Sequence, residues 1–208
     1  MKAVVLHAWP LDERMWEPQL GLLHAAGFET VVPRLYGRGP SIEAWASQLL
    51  GEIDGQFVAV GASMGGYTAL ALARRSPERV VGMALLGSPV TADTSERRAE
   101  RDELIAQLRS GGVPADLDTD VEAEDLAVAQ EAIRDRPDST SVVGAFGGPL
   151  LVCVGDRDDV LSVGDAQAIA DRALRGTLHV FPGAGHLVSV EQPSAFGDVV
   201  LEFLSQWT

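Results

Sequence analysis

FVAVGASMGGYTALALA, residues 57–73, decides the fold. FVAV, residues 57–60, is a short run of β-branched and other apolar residues ending at glycine. Such a run fits a strand buried on both faces. MGGYTALALA, residues 64–73, is small, apolar and rich in helix formers. Between them, Gly61-Ala62-Ser63-Met64-Gly65 matches G-x-S-x-G. A serine at the apex of a tight strand-to-helix turn sits in strained backbone space. Side chains two residues to either side would collide, which is the steric reason for the two glycines. The turn presents the hydroxyl to a cleft and aims the first N–H groups of the helix at a place where negative charge can develop. The competing reading is the glycine-rich turn of a nucleotide-binding fold. That turn wants G-x-G-x-x-G, and the position of its second glycine is Ser63.

Outward from this element, strands and helices alternate. KAVVLH, residues 2–7, reads as a strand, followed by the loop Ala8-Trp9-Pro10-Leu11. Asp12 can cap a helix to about residue 24, with Met15, Gln19, Leu20 and Leu23 at helical spacing and Gly27 as its stop. A strand over 30–33 leads into RLYGRGP, residues 34–40, and Ser41 caps a helix to about 53. VVGMALLG, residues 80–87, is the fourth strand. Residues 91–148 are polar, charge-rich and helical in pattern. Asp93 and Thr94 can cap a helix that Gly111-Gly112 ends; a second helix covers 121–135 and a short third follows Asp138. The strand rhythm returns with PLLVCVG (149–155), a helix over 163–173, a strand over 178–181 and a closing helix over 192–207. This alternation predicts an α/β chain with a six-stranded, mainly parallel sheet covered on both faces. Residues 1–90 and 149–208 form the core and 91–148 a small helical cap, in one structural domain.

Composition narrows the function classes. A chain of 208 residues with 46% hydrophobic residues can bury a full core. The net charge of −14, from 30 acidic and 16 basic residues, opposes binding to nucleic acid or to anionic membranes. The sole cysteine, Cys153, lies in the apolar run LLVCV and reads as a small buried hydrophobe; one cysteine forms neither an intrachain disulfide nor a cysteine metal cluster. MKAVVLHAWP has too short an apolar stretch for a signal peptide, so a cytoplasmic location is the expectation.

In a doubly wound sheet ligands sit at the carboxyl ends of the strands. There the chain places His7-Ala8-Trp9 after the first strand, Ser63 after the third, Asp156 to Asp159 after the fifth, and Gly183-Ala184-Gly185-His186 after the sixth. A hydroxyl, a carboxylate and an imidazole thus share one edge in the chain order Ser, Asp, His.

With these residues in view, the chain resembles an α/β-hydrolase-fold enzyme of the esterase and lactonase kind with a small cap. The likeness rests on VVLHAWPLD, GASMGG, LLVCVGDRDDVLS and VFPGAGHLVSVEQP, and is weakest in 91–148. It implies Ser63 as nucleophile, His186 as base, Asp158 as acid, and the backbone N–H groups of Trp9 and Met64 as oxyanion hole. It implies a small neutral ester or lactone as substrate, and no metal or organic cofactor. Asp156 and Asp159 are then caps or solvated charges, and Asp93 is a remote second acid, better read as a helix cap. His7 supports the oxyanion loop by structural hydrogen bonds, His24 and His179 lie at the surface, Trp9 lines the acyl pocket, and Tyr36, Arg38 and Trp45 are candidates for its entrance. The acidic stretch 116–125 reads as solvated surface.

The departures are specific. The family usually has His-Gly where His7-Ala8 stands, so a methyl group narrows the pocket or alters the loop. Arg34 stands where the second loop usually begins with Asp. The two strands that often precede the first one are missing, which leaves an all-parallel sheet, and the short cap leaves the site more open. Ala8 and the short cap together predict short acyl chains. Rivals on the same fold are a carbon–carbon bond hydrolase and a cofactor-free haloperoxidase; a rival of another class is a ligand-binding protein without catalysis. Ser63 in place of a carboxylate argues against haloalkane dehalogenase and epoxide hydrolase chemistry.

Overall fold

Side chains alternate across every central strand, and this alternation builds the two cores. In the computed structural model, which describes residues 1–115 and 117–207, all strand pairs are parallel. The strands are β1 (Lys2–Leu6), β2 (Glu29–Val31), β3 (Phe57–Ala62), β4 (Val80–Leu86), β5 (Leu150–Gly155) and β6 (Gly176–Phe181). They stand in the order β2-β1-β3-β4-β5-β6. Val4, Leu6, Ala59, Leu85 and Val152 enter one buried layer. Their neighbours Val5, Val60, Leu86 and Cys153 enter the other. A sheet buried on both faces needs this apolar supply on both sides, hence the continuous hydrophobic runs.

The first layer packs against α2 (Ile42–Glu52), α3 (Met64–Arg75) and α7 (Val163–Arg172) through residues such as Trp45, Leu70 and Ile169. The second packs against α1 (Glu17–Ala25) and α9 (Pro193–Leu204) through Leu23, Phe196 and Val200, joined by Trp16 just before α1. Between β4 and β5 lie α4 (Ser95–Gly111), α5 (Ala123–Arg134) and α6 (Thr140–Ala145). Their buried residues Ile105, Leu108, Leu126, Ile133 and Val143 join the first layer rather than forming a core of their own. Thr94 caps α4 by accepting from the Arg97 N–H, so Asp93 is not the cap. Among the described residues no helix is long and apolar enough to cross a membrane.

Element ends differ from the sequence pattern where proline or glycine intervenes. The helix expected from residue 12 opens as a 3-10 turn (Glu13–Trp16) capped by Asp12, and α1 begins at Glu17 with Pro18 in its first turn. Pro18 has no N–H to give to a longer helix, and its fixed φ suits a helix start. The closing helix likewise starts at Pro193, after a separate short α8 (Val188–Glu191). β6 begins at Gly176, two residues before the apolar run that marked it, because the ladder to β5 continues through Thr177.

The sheet order places β1 between β2 and β3. The chain reverses direction across the sheet there, and crevices at the carboxyl ends of strands open at such points. The loop after β1 and the turn after β3 flank this crevice. Residue 65 closes it from below: a Cβ on Gly65 would lie 2.0 Å from the Leu6 carbonyl oxygen. A Cβ on Gly176 would lie 1.9 Å from the Ala170 carbonyl oxygen. Gly65→Ala and Gly176→Ala are each expected to destabilise by about 2–4 kcal/mol. Gly21→Ala, inside α1 with open space around it, is expected to stabilise by about 0.5–1 kcal/mol. Urea unfolding of the three variants checks the ordering, and a neutral Gly65→Ala would contradict it.

Candidate active site

Ser63 has φ +48° and ψ −108°, and it is the only non-glycine residue with positive φ among the described residues. Such a conformation costs about 1–3 kcal/mol and persists only when its surroundings over-determine it. Here the Ser63 N–H donates to the Leu86 carbonyl at 2.8 Å, and the Ser63 carbonyl accepts from Gly66 and Tyr67 at 2.9 and 3.2 Å. A Cβ on Gly61 would lie 2.3 Å from the Gly65 carbonyl oxygen, and one on Gly66 would lie 2.0 Å from Ser88 Oγ. Three glycines therefore let strand, turn and helix close on one another, as the steric reading of the motif required.

Ser63, His186 and Asp158 come together. His186 Nε2 lies 3.0 Å from Ser63 Oγ, and His186 Nδ1 lies 3.0 and 3.1 Å from the Asp158 carboxylate oxygens. Asp158 Oδ1 also accepts from the backbone N–H groups of Val160 and Leu161 at 2.8 and 3.1 Å. Burial alone would push the Asp158 carboxyl up. The hydrogen bond and charge of His186, with the two backbone donors, outweigh it and hold the carboxyl below its usual range. An ionised Asp158 accepts a proton bond from Nδ1, which leaves Nε2 as the acceptor facing the Ser63 hydroxyl. Gly87, with φ +55°, underlies this pair: a Cβ there would fall 2.9 Å from His186 Nδ1 and 3.0 Å from Asp158 Oδ2.

Of the other aspartates, Asp159 matches the expectation and Asp93 departs from it. Asp159 is exposed. Asp156 is not simply solvated, since its Oδ1 accepts from the Gly183 N–H at 2.7 Å. Asp93 neither caps nor approaches His186; it pairs with Arg101 and Arg136. Glu191 was given no role by the sequence reading, yet its carboxylate accepts from Gly185 at 2.7 Å and from Leu187 at 3.0 Å, on either side of His186. Gln192 adds a bond to the Pro182 carbonyl at 2.9 Å. The E-x-P signal was visible at 191–193, but its meaning depends on α8 folding back under the histidine loop.

The loop after β1 corrects one expectation. Ala8 is fully buried and packs in the α1/α9 layer, so its methyl group does not narrow the cavity. His7 is also fully buried. Its Nδ1 lies 3.1 Å from the Ala8 carbonyl, and its Nε2 accepts from the Leu35 N–H at 2.9 Å. Both ring nitrogens are thus satisfied by the neutral Nδ1–H form alone. Trp9 lines the cavity containing Ser63, and its indole donates to the Leu126 carbonyl at 3.3 Å. Its backbone N–H has no hydrogen-bond partner among the described residues. The Met64 N–H opens α3 and has no intrahelical partner.

The cavity has a volume of about 370 Å³, with apolar walls from Trp9, Leu104, Ile133, Val160 and Leu187. Tyr36, Arg38 and Trp45 do not reach it. Trp45 is buried under the first layer with its indole on the Gly39 carbonyl, the Tyr36 hydroxyl donates to the Leu11 carbonyl, and Arg38 pairs with Glu52 at the surface. Arg34 lies 3.8–3.9 Å from Asp12, Glu13 and Asp125, so carboxylates of the first loop and of α5 surround the position that lacks its aspartate. The acidic stretch is exposed but partly paired, Asp120 with Arg14 and Glu124 with Arg109; Asp116 lies outside the described residues. Cys153 is fully buried as expected, and burial pushes its thiol up. Among the described residues no group of three or more His, Cys, Asp or Glu side chains is arranged to hold a metal ion.

Burial lowers the His7 pKa from 6.5 to about 4. The unfolded chain therefore binds a proton that the folded chain refuses, and stability drops as pH falls across that window, by roughly 3 kcal/mol at most from this group. Imidazole nitrogen NMR at pH 5.5 is expected to show His7 as the neutral Nδ1–H tautomer. An imidazolium at that pH would contradict the assignment.

The sequence model of the Alpha/beta hydrolase family matches residues 3–199. A pimeloyl-[acyl-carrier protein] methyl ester esterase of Aromatoleum aromaticum is 40% identical over 91 residues, which span 41% of this chain and 36% of that protein. The 2-hydroxymuconate semialdehyde hydrolase of Pseudomonas sp. strain CF600 is 29% identical over 79% of this chain and 69% of its own length. The solved structure of a thermophilic esterase from Thermogutta terrifontis superposes with a TM-score of 0.90 at 28% identity, covering 99% of this chain and 90% of that one. With the match reaching over nearly the whole sheet, the chain belongs to the alpha/beta hydrolase family.

Proposed function

We propose that the protein is a serine hydrolase that cleaves small carboxylic esters or lactones. The observation that carries this reading is the unbroken line from Ser63 Oγ to His186 Nε2, 3.0 Å, and from His186 Nδ1 to Asp158, 3.0 Å, at the edge of a cavity with apolar walls. In this reading the neutral imidazole takes the Ser63 proton as the oxygen attacks the carbonyl. Asp158 holds the Nδ1–H tautomer and stabilises the imidazolium. The oxyanion is received by the N–H groups of Trp9 and Met64, neither of which has another partner among the described residues; losing one such donor in comparable sites costs about 3 kcal/mol. His186 returns the proton to the leaving alkoxide, and water then cleaves the acyl-enzyme by the same route. Residues 91–148 act as a small cap, since α4 and α5 supply Leu104 and Ile133 to the cavity wall. Glu191 and Asp156 position the loop that carries His186.

Relatives named as an esterase and as a semialdehyde hydrolase support hydrolysis in general terms. The cavity volume supports a short acyl group. A fluorophosphonate probe is expected to label the native protein at Ser63 and to leave Ser63→Ala unlabelled. On a panel of nitrophenyl esters beside several lactones, short acyl chains are expected to turn over best, and Asp158→Asn is expected to lower kcat by about 10³–10⁴-fold. An unlabelled wild type would sink the enzyme reading; best turnover on long chains would sink the size assignment.

A further inference from the structure

Three arginines, Arg97, Arg101 and Arg136, and two carboxylates, Asp93 and Glu100, lie beside the cavity, and their formal charges do not cancel. Asp93 is nearly buried and shared between two guanidinium groups: Oδ2 pairs with Arg101 Nε at 2.5 Å and Oδ1 with Arg136 Nη1 at 2.7 Å. Arg136 is used up locally. It also donates to the Ile133 and Thr91 carbonyls at 2.8 and 3.0 Å, and its Cζ lies 4.1 Å from the Tyr67 ring centre. Arg101 is different. Nε is held by Asp93 and Nη1 donates to Gln130 Oε1 at 2.6 Å, while Nη2 has no partner among the described residues. Arg101 lines the same cavity as Ser63 and His186. Arg97 and Glu100 line it too, as a pair at 2.9 Å whose formal charges offset each other, so the excess positive charge is that of Arg101 and Arg136 over Asp93.

One carboxylate for two guanidinium groups leaves the cluster positive, in a chain whose net charge is −14. A poorly solvated cation without a full counter-charge is unfavourable until an anion reaches it. Two of the three guanidinium nitrogens of Arg101 are fixed by Asp93 and Gln130, so the third is held in place with little entropy left to lose on binding. A carboxylate is the anion that a guanidinium edge binds best at this size.

We propose that Arg101 is a specificity-determining residue that receives a second, ionised carboxylate of the substrate, so that half-esters of dicarboxylic acids are preferred over neutral esters. This rests on the reading of Ser63 as nucleophile, and it moves the substrate class away from the neutral esters expected from sequence.

Monomethyl adipate and methyl hexanoate have the same acyl length and differ in the distal carboxylate, which makes them the test pair, followed by acid release at constant pH. The wild type is expected to favour the half-ester by about tenfold or more in kcat/KM. Arg101→Gln is expected to remove about tenfold of that ratio, mainly through KM. Arg101→Lys, which keeps the charge without the fork, is expected to keep part of it. Adipate is expected to inhibit more strongly than hexanoate, and this difference too is expected to shrink in Arg101→Gln. A wild type that treats both esters alike, or prefers methyl hexanoate, overturns the subsite and leaves the hydrolase reading standing. So does a half-ester preference that a folded Arg101→Gln retains. If circular dichroism shows Arg101→Gln unfolded, Arg101→Lys decides: a reduced ratio supports the subsite and an unchanged one overturns it. If neither ester is cleaved and the fluorophosphonate leaves Ser63 unmodified, both readings fall together.

Discussion

The first turn of α3 lies so close to the end of β1 that no side chain fits at residue 65. This backbone approach governs the rest of the site. It brings the Ser63 turn against the loop that begins at His7, and it leaves Ser63 no ordinary φ to adopt. The strain is carried by neighbours that are themselves rigid: the Leu86 carbonyl at the end of β4, the helix bonds back to the Ser63 carbonyl, and Ser88, whose Oγ fills the space beside Gly66. A central strand, buried on both faces, anchors each of them. The doubly covered sheet is thus a mechanical requirement for the turn, since a less constrained scaffold would let Ser63 relax.

Polar satisfaction continues outward from that turn. Asp158 lies fully out of solvent as a side chain, a position an ionised carboxylate tolerates only with several donors. It has His186, two backbone N–H groups and the space that Gly87 leaves free. The histidine loop is held in turn by Asp156 from one side and Glu191 from the other. Neither carboxylate lines the cavity itself, yet they set where the imidazole can stand. The geometry of three side chains depends on at least two more, Asp156 and Glu191, that take no part in the line from Ser63 to Asp158.

Much of this was legible in the chain. The strand runs, the glycines around Ser63 and the residues after each strand follow from local patterns that survive folding, because a parallel sheet sends every strand end to one edge. Other features were not legible, for physical reasons. Ala8 looked like a change in the pocket, but whether a methyl group faces a core or a cavity depends on which layer the loop packs against. Tyr36 and Trp45 looked like entrance residues because aromatics in and after a loop carry no direction in sequence; both are drawn into the core around α2. Asp156 and Asp158 are two residues apart in one loop, and only the fold sends one to the imidazole and the other to Gly183. Arg101 sits in a helix with many charges, and its neighbour Asp93 belongs to a different segment, so its imbalance of charge exists only in three dimensions.

The inserted helices are tied to the sheet at the places where the proposed chemistry occurs. The Trp9 indole holds the Leu126 carbonyl of α5, Thr119 Oγ1 holds the Pro10 carbonyl at 2.7 Å, and Arg74 of α3 holds Ser139 at 2.7 Å. Arg101 and Gln130 join α4 to α5 across the cavity wall. A shift of α5 would therefore move Trp9, whose N–H is proposed to receive the oxyanion, and Gln130, which steadies the proposed carboxylate subsite. In the proposed mechanism the α4–α5 pair would thus serve both the selection of substrate and the stabilisation of developing charge. The surface ion pairs between α4 and α5, such as Arg109 with Glu131 and Arg134 with Asp102, are exposed and individually weak. The apolar contacts of Leu108, Leu126 and Ile133 with the first layer are what fix the position of that helix pair.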